Sequence, residues 1–223
     1  MSAIDDVDTR QEQVGPGRRA VFLTCAVLIA IVLVFFVRRL ILDVPKFGTD
    51  PQELDDINRS WIAHPWVGYL HVVPGVLYLL GASLQVSHRF RSRHYVFHRR
   101  LGRVVLAVGF LTGAFAIVFG TLYSFGGVSE AVTSAVFGVW FRTCLGTALA
   151  AIRRGEVATH RRWMIRAFAV AIGVGTIRIW IGLLAGTGLT ALNTSFAVGF
   201  PLAFVIHVPA AEWWLRRAPA PAG

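Results

Sequence analysis

Two short basic phrases, each headed by a histidine, could do chemistry in this sequence. The letters HRR occupy residues 98–100 and 160–162, and each phrase leads into an apolar run. Two imidazoles at the same depth on neighbouring helices, with apolar walls between them, are what a b-type haem requires of a protein. We therefore take His98 and His160 as candidate haem ligands. The arginines that follow them, which suit the haem propionates, are Arg99 and Arg161.

The same phrases also fit a role at a membrane surface. Guanidinium groups beside an apolar helix bind the phosphates of anionic lipid headgroups. The candidate headgroup ligands are Arg100, Arg103, Arg162 and Arg166. In this interpretation the histidines only anchor the helix ends and hold no metal. Both interpretations are open on the sequence alone.

Polar side chains inside the apolar runs form a second candidate site. They are His71, Gln85, Arg142, Arg178 and His207. Such groups cost several kcal/mol at membrane depth, so they usually face the protein interior and mark function. Helical rise puts Arg178 near the depth of His71, and this pair could bind an anion or the carbonyl of a quinone. Buried structural hydrogen bonding is the alternative. We expect Glu130 and Glu212, near helix ends, to be solvated.

The elements that must position these residues are membrane helices. Of the 223 residues, 55% are hydrophobic and only 15% are charged, whereas a soluble domain carries about 25% charged residues. Six apolar runs approach the length of about 20 residues that a bilayer-spanning helix needs. The predicted spans are 20–37, 65–86, 104–123, 131–152, 163–185 and 195–215. We therefore predict an all-α polytopic membrane protein.

The predicted spans divide the chain into five segments. Residues 1–19 are a disordered cytoplasmic tail, 20–42 an anchor helix and 43–64 an outer loop. Residues 65–185 form a four-helix core made by the second to fifth spans, and 186–223 contain the sixth span and a short tail. The first span lacks a small-residue cleavage site, so a retained anchor is expected rather than a signal peptide. In the outer loop, Pro51 predicts the start of a short amphipathic helix.

Basic residues alternate between the loops. Residues 87–103 carry six arginines and no acid, whereas 124–130 and 186–194 carry no lysine or arginine. This positive-inside pattern predicts a bacterial inner-membrane protein with both termini in the cytoplasm. It also accounts for the net charge of +10, so no nucleic-acid partner is expected. Arg38 and Arg39 depart from the pattern, because they follow the first span on the predicted outer side.

The two HRR phrases suggest an internal repeat. The second and third spans would correspond to the fourth and fifth, related by an axis along the membrane normal. GxxxG motifs at 109–113 and 182–186 allow close helix approach, and a homodimer is a further expectation. No CxxC spacing and no hydrolase or nucleotide-binding motif occurs. Apart from haem iron, we therefore predict no metal.

Three stretches of the sequence resemble a known family. They are HVVPGVLYLLGASLQ (71–85), HRRLGRVVLAVG (98–109) and HRRWMIRAFAVAIGVGTIRIW (160–180). Together they are similar to the bacterial membrane family called domain of unknown function 2306, over residues 65–185. The resemblance implies that the characteristic positions are His71, Gln85, His98, Arg99, Gly102, Arg103, His160, Arg161, Arg162, Trp163, Met164, Arg166 and Arg178. Ser83 stands where the pattern often has proline. The resemblance implies no particular activity.

A looser, architectural similarity is to the diheme transmembrane cytochromes b of the ascorbate-reducing type. Those proteins place one histidine pair on the third and fifth helices and another on the second and fourth. This chain has His71 on its second span and no histidine on its fourth, so the similarity implies one haem at most. We therefore favour a redox or quinone-linked membrane protein with one b-type haem. The alternatives are a non-catalytic structural or lipid-binding protein and a small-solute or anion transporter. No catalytic residue is predicted.

Overall fold

A computed structural model of the chain describes residues 16–86 and 88–217. Most of the predicted N-terminal tail, up to residue 15, lies outside this description. The six long helices are α1 (Pro16–Asp43), α2 (Pro65–Val86), α3 (Tyr95–Leu122), α4 (Gly127–Arg153), α5 (Val157–Gly186) and α6 (Leu192–Arg217). Each is long and apolar enough to cross a membrane, and the described residues contain no strand. The all-α, six-span prediction is confirmed.

The two helices that contain the HRR phrases, α3 and α5, begin earlier in the chain than their predicted spans. α3 begins at Tyr95 and α5 at Val157, so His98 and His160 are each the fourth residue of their helix. The predicted spans began only after the arginines. The helices include the arginines because their apolar stems can lie along a helix while the charged heads reach water.

Helices α2, α3, α4 and α5 form the four-helix core. Each helix packs against the next in the chain, and a smaller contact between α5 and α2 closes the ring. Among the described residues, α3 and α5 therefore stand at opposite corners. α6 packs against α4 and α5, while α1 packs mainly against α5. We call the end where α3 and α5 begin the HRR end.

Glycines let the core helices approach one another closely. A Cβ on Gly81 would lie 2.5 Å from the side chain of Val105, and one on Gly109 would lie 2.8 Å from the ring of Tyr78. The first GxxxG motif, which contains Gly109, therefore packs α3 inside the core. The second motif contains Gly182, whose surroundings are open.

The segment between α1 and α2 contains two 3₁₀ turns, Val44–Lys46 and Pro51–Glu53, and a short helix, Asp56–Ala63. The helix thus begins after the predicted start, because the Asp55 side chain caps it by accepting from the N–H of Asn58 at 2.9 Å. Burial acts to raise the pKa of Asp55, but the hydrogen bonds from Asn58 outweigh it and the pKa is lowered.

Candidate functional site

His98 and His160 lie at the HRR end, on opposite corners of the four-helix core. Since each is the fourth residue of its helix, the two side chains start from corresponding positions. Both residues are half-buried, and they are close enough to interact electrostatically. The bundle therefore brings the two predicted haem ligands near each other across its end.

Each of these histidines is tied to the helix that precedes it. The Nδ1 of His160 lies 2.9 Å from the carbonyl oxygen of Ala148 on α4. A carbonyl oxygen only accepts, so Nδ1 carries the proton and a neutral ring keeps the Nε2 lone pair for another partner. Metal-binding histidines are commonly oriented in this way. In the first half of the core, Gln85 on α2 donates to the backbone carbonyl of His98 at 3.2 Å.

The Nδ1 atom of His98 is buried. Among the described residues, its Nδ1 is buried without any hydrogen bond, which is costly for a polar atom. Apolar side chains that pack on the core follow within one turn on both helices, namely Leu101, Trp163 and Met164. These residue types, two imidazoles with apolar side chains and arginines beside them, are the ones that a b-type haem requires, and haem binding stays a prediction.

A second cluster of polar side chains surrounds Arg178, away from the HRR end. Helical rise puts Arg178 about 27 Å along α5 from His160. Its guanidinium lies over the ring of Phe35 on α1, 5.6 Å from the ring centroid. It is near enough to His71 on α2 and to Glu130 on α4 for electrostatic interaction. The predicted neighbours Arg178 and His71 are therefore brought together.

Hydrogen bonds fix the imidazole of His71. Its Nδ1 lies 3.1 Å from the carbonyl oxygen of Thr112 on α3, and the Thr112 hydroxyl donates to the backbone carbonyl of His71 at 2.6 Å. The carbonyl again requires the proton on Nδ1, so the Nε2 atom of a neutral ring remains an acceptor. His71 can therefore accept a hydrogen bond from a ligand.

Carboxyl groups complete this cluster. Glu130 is only 7% exposed and accepts from the N–H of Gly126 at 2.6 Å. Asp43, at the end of α1, is fully buried and accepts from Arg39 and from the Tyr69 hydroxyl, each at 2.8 Å. Arg39 is near enough to interact electrostatically with Arg178. Two arginines and two carboxyl groups thus lie near one another.

One family model covers most of both clusters. The model, described as "Predicted membrane protein (DUF2306)", matches residues 68–215. The chain belongs to this family. The DUF2306 match extends beyond the region of resemblance, 65–185, and includes most of α6. No curated protein and no solved structure matches the chain.

The DUF2306 region contains both predicted haem ligands and also His71, Glu130 and Arg178. By contrast, Arg39 and Asp43 lie on α1, before the matched residues. The residues matched to the family therefore include the central side chains of each cluster, whereas the buried ion pair beside Arg178 belongs to α1.

The other predicted intramembrane residues lie elsewhere in this DUF2306 chain. Arg142 is exposed near the middle of α4, in a shallow groove beside Phe110 of α3. His207 on α6 shares a hydrogen bond of 2.7 Å with Thr176 on α5. Gln85 is at the HRR end. The five predicted polar residues therefore do not form one site.

Two of the arginines predicted to bind headgroups are engaged within the protein. Arg166 forms an ion pair with Glu212 on α6, with Nη2 and Oε2 2.9 Å apart, and lies over the ring of Trp163. Arg162 donates to the carbonyl of Leu215 at 3.2 Å. Arg100 and Arg103 are exposed. The first two therefore join α5 to α6.

Sequence reasoning missed the carboxyl groups. We expected Glu130 and Glu212 to be solvated, but Glu130 is buried and Glu212 is paired with Arg166. The available signal for Glu130 was its place in the first turn of a helix, where acids complement the helix dipole. Throughout the described ranges, no group of three or more His, Cys, Asp or Glu residues could hold a metal ion. A haem site does not need such a group, because the protein supplies only one or two side chains to the haem iron.

Proposed function

We propose that this DUF2306 protein is a membrane electron-transfer protein that holds one b-type haem between His98 and His160. The observation that carries the proposal is the Nδ1 of His98, which is buried and has no hydrogen-bonding partner among the residues that the structure describes, on an imidazole that interacts electrostatically with His160. A buried polar nitrogen without a partner calls for an explanation, such as an absent ligand, and a second imidazole nearby is what a b-type haem requires.

The chain's own residues have distinct roles in this proposal. The carbonyl of Ala148 fixes the ring of His160 through Nδ1, so Nε2 would be the atom that holds the haem iron. Gln85 holds the backbone of His98 against α2. Arg99 and Arg161, which follow the histidines and are exposed, would pair with the propionates. The bound haem would supply one-electron transfer.

The arginines also support an orientation. The HRR end would face the cytoplasm of a bacterial inner membrane, because the basic segments meet there. Arg39 does not oppose this orientation, since its charge is paired with Asp43. Arg154→Cys, between α4 and α5, would then be shielded from an impermeant thiol reagent in intact cells, whereas Leu189→Cys would react. Cys25 and Cys144 are changed to serine in both variants, so that each has a single cysteine. The reverse pattern of labelling would overturn the orientation.

Haem content tests the proposed function. Purified protein, produced with ample haem, should contain about one b-type haem per chain, measured as the pyridine complex. His98→Ala and His160→Ala should each lose most of this haem. His207→Ala is the matched control, because His207 is a membrane histidine bonded to Thr176. Equal haem content in all three variants would contradict the assignment.

Lipid binding is a second candidate function, favoured by the exposed arginines at the HRR end. Four of them are Arg99, Arg100, Arg103 and Arg161. Replacing all four by glutamine should reduce binding of anionic phospholipid, measured by native mass spectrometry, and leave binding of zwitterionic phospholipid unchanged. His98→Gln separates the two functions, since a headgroup site keeps its lipid in that variant whereas a haem site loses its iron ligand.

A further inference from the structure

Arg178 places a guanidinium within α5, a helix that is long and apolar enough to cross a membrane. Among the described residues, no hydrogen bond and no ion pair reaches its guanidinium, which lies over the ring of Phe35. A guanidinium carries five N–H donors, and leaving them unmet at membrane depth is expensive. The neighbouring ion pair is also incomplete, because Arg39 Nη2 and Asp43 Oδ1 are buried without a partner in the part of the chain that the structure describes.

The surrounding groups offer both kinds of hydrogen-bonding function. Arg178 and Arg39 can donate, whereas the Nε2 atom of a neutral His71 can accept. Glu130 is near enough to interact electrostatically with Arg178, yet the two form no direct ion pair within the described residues. A molecule that both accepts and donates would therefore be well held among these groups.

Charge balance favours a neutral molecule over an anion. The two arginines, Arg178 and Arg39, are matched by two carboxyl groups, Glu130 and Asp43, so an anion would add an uncompensated charge inside the membrane. The site is also open towards the bilayer, because Arg178 is only half-buried and Phe35 is 40% exposed. A ligand dissolved in the bilayer could therefore reach it.

We propose that Arg178, His71 and Glu130 bind the headgroup of a membrane-soluble quinol. A quinol hydroxyl is neutral, accepts from a guanidinium through its oxygen and donates its proton to an imidazole or carboxylate. The proposal concerns binding. It deepens the proposed redox function by giving that function a lipid-soluble partner, and it rests on that function for its biological role only. The Arg178 cluster is about 27 Å along α5 from His160, so the two sites are tested separately.

Binding is measured with short-chain benzoquinol and naphthoquinol analogues, kept reduced, on protein purified free of endogenous quinone. Quenching of tryptophan fluorescence reports saturation. Arg178→Gln and His71→Ala should each weaken binding at least tenfold. Arg142→Gln is the matched control, because Arg142 is a membrane arginine outside the cluster. This variant should bind the quinol analogues with the same affinity as the unmodified protein. Arg178→Lys retains the charge and should recover part of the loss.

Several results would overturn the proposal. These are the absence of saturable binding of either analogue, equal affinities for Arg178→Gln and Arg142→Gln, and saturable binding of inorganic phosphate or succinate in place of quinol.

If Arg178→Gln does not fold, an azidoquinone is photolysed with the unmodified protein. Labelled peptides from α5 around Arg178 or from α2 around His71 would support the site, and labels confined elsewhere would contradict it. Haem content measured on the same preparations distinguishes this failure from failure of the haem proposal.

Discussion

His98 and His160 occupy the same place, the fourth residue, in two helices at opposite corners of the core. Each is tied to the preceding helix at nearly the same sequence distance. Gln85 lies 13 residues before His98 and bonds its backbone, while Ala148 lies 12 residues before His160 and bonds its ring. This correspondence supports an internal repeat of two helical hairpins, each of which presents one histidine to the HRR end.

The close packing of α3 predicts that Gly109→Ala destabilises the protein. The new methyl would lie 2.8 Å from the ring of Tyr78 and 2.9 Å from Leu145, which is too close for a rigid core. We expect the free energy of unfolding to fall by about 1–3 kcal/mol, measured by thermal unfolding in detergent. Gly182→Ala, at an open position, is the control and should not destabilise. Equal effects would contradict the packing.

The ion pair between Arg166 and Glu212 should stabilise the contact of α5 with α6. The two side chains are 15% and 33% exposed, so solvent weakens their attraction only in part. A double-mutant cycle with alanine should give a coupling free energy of about 1 kcal/mol. The Arg154–Glu156 pair, which is more exposed, should give no measurable coupling. A coupling free energy of zero between Arg166 and Glu212 would mean that this ion pair does not stabilise the protein.

Asp43 should hold α1 in place. It is fully buried and neutralises Arg39, which also bonds Asn58 at 3.0 Å. Asp43→Ala leaves that arginine without its charge partner, and we expect a loss of about 3 kcal/mol in the free energy of unfolding. Asp56→Ala removes an exposed partner of Arg59 and serves as the control. A small effect of Asp43→Ala, equal to that of the control, would show that the buried pair is dispensable.

The sequence was sufficient for the helices but less so for their ends. Apolar runs of bilayer length appear directly in the letters, so all six spans could be predicted. The starts of α3 and α5 could not, because Arg99, Arg100 and their neighbours are polar whether or not they are helical. Similarly, the start of the helix after Asp55 depends on a side-chain cap that competes with the proline signal at Pro51.

The sequence predicts which candidate residues lie at similar depths in the membrane. Helical rise put Arg178 near His71, and the HRR phrases put His98 near the level of His160. Burial of Glu130 and Asp43 could not be predicted, because it depends on which helices pack against each helix end. Likewise, the direction of Arg142 depends on the face of α4 that remains after α3, α5 and α6 have packed.

The most direct test of the central claim is a reduced-minus-oxidised visible spectrum of the purified protein, beside the His98→Ala, His160→Ala double variant. The unmodified protein should show sharp b-type haem bands, and the folded double variant should lose them. A flat spectrum from unmodified protein produced with ample haem would contradict the central claim, as would haem bands that persist in the double variant.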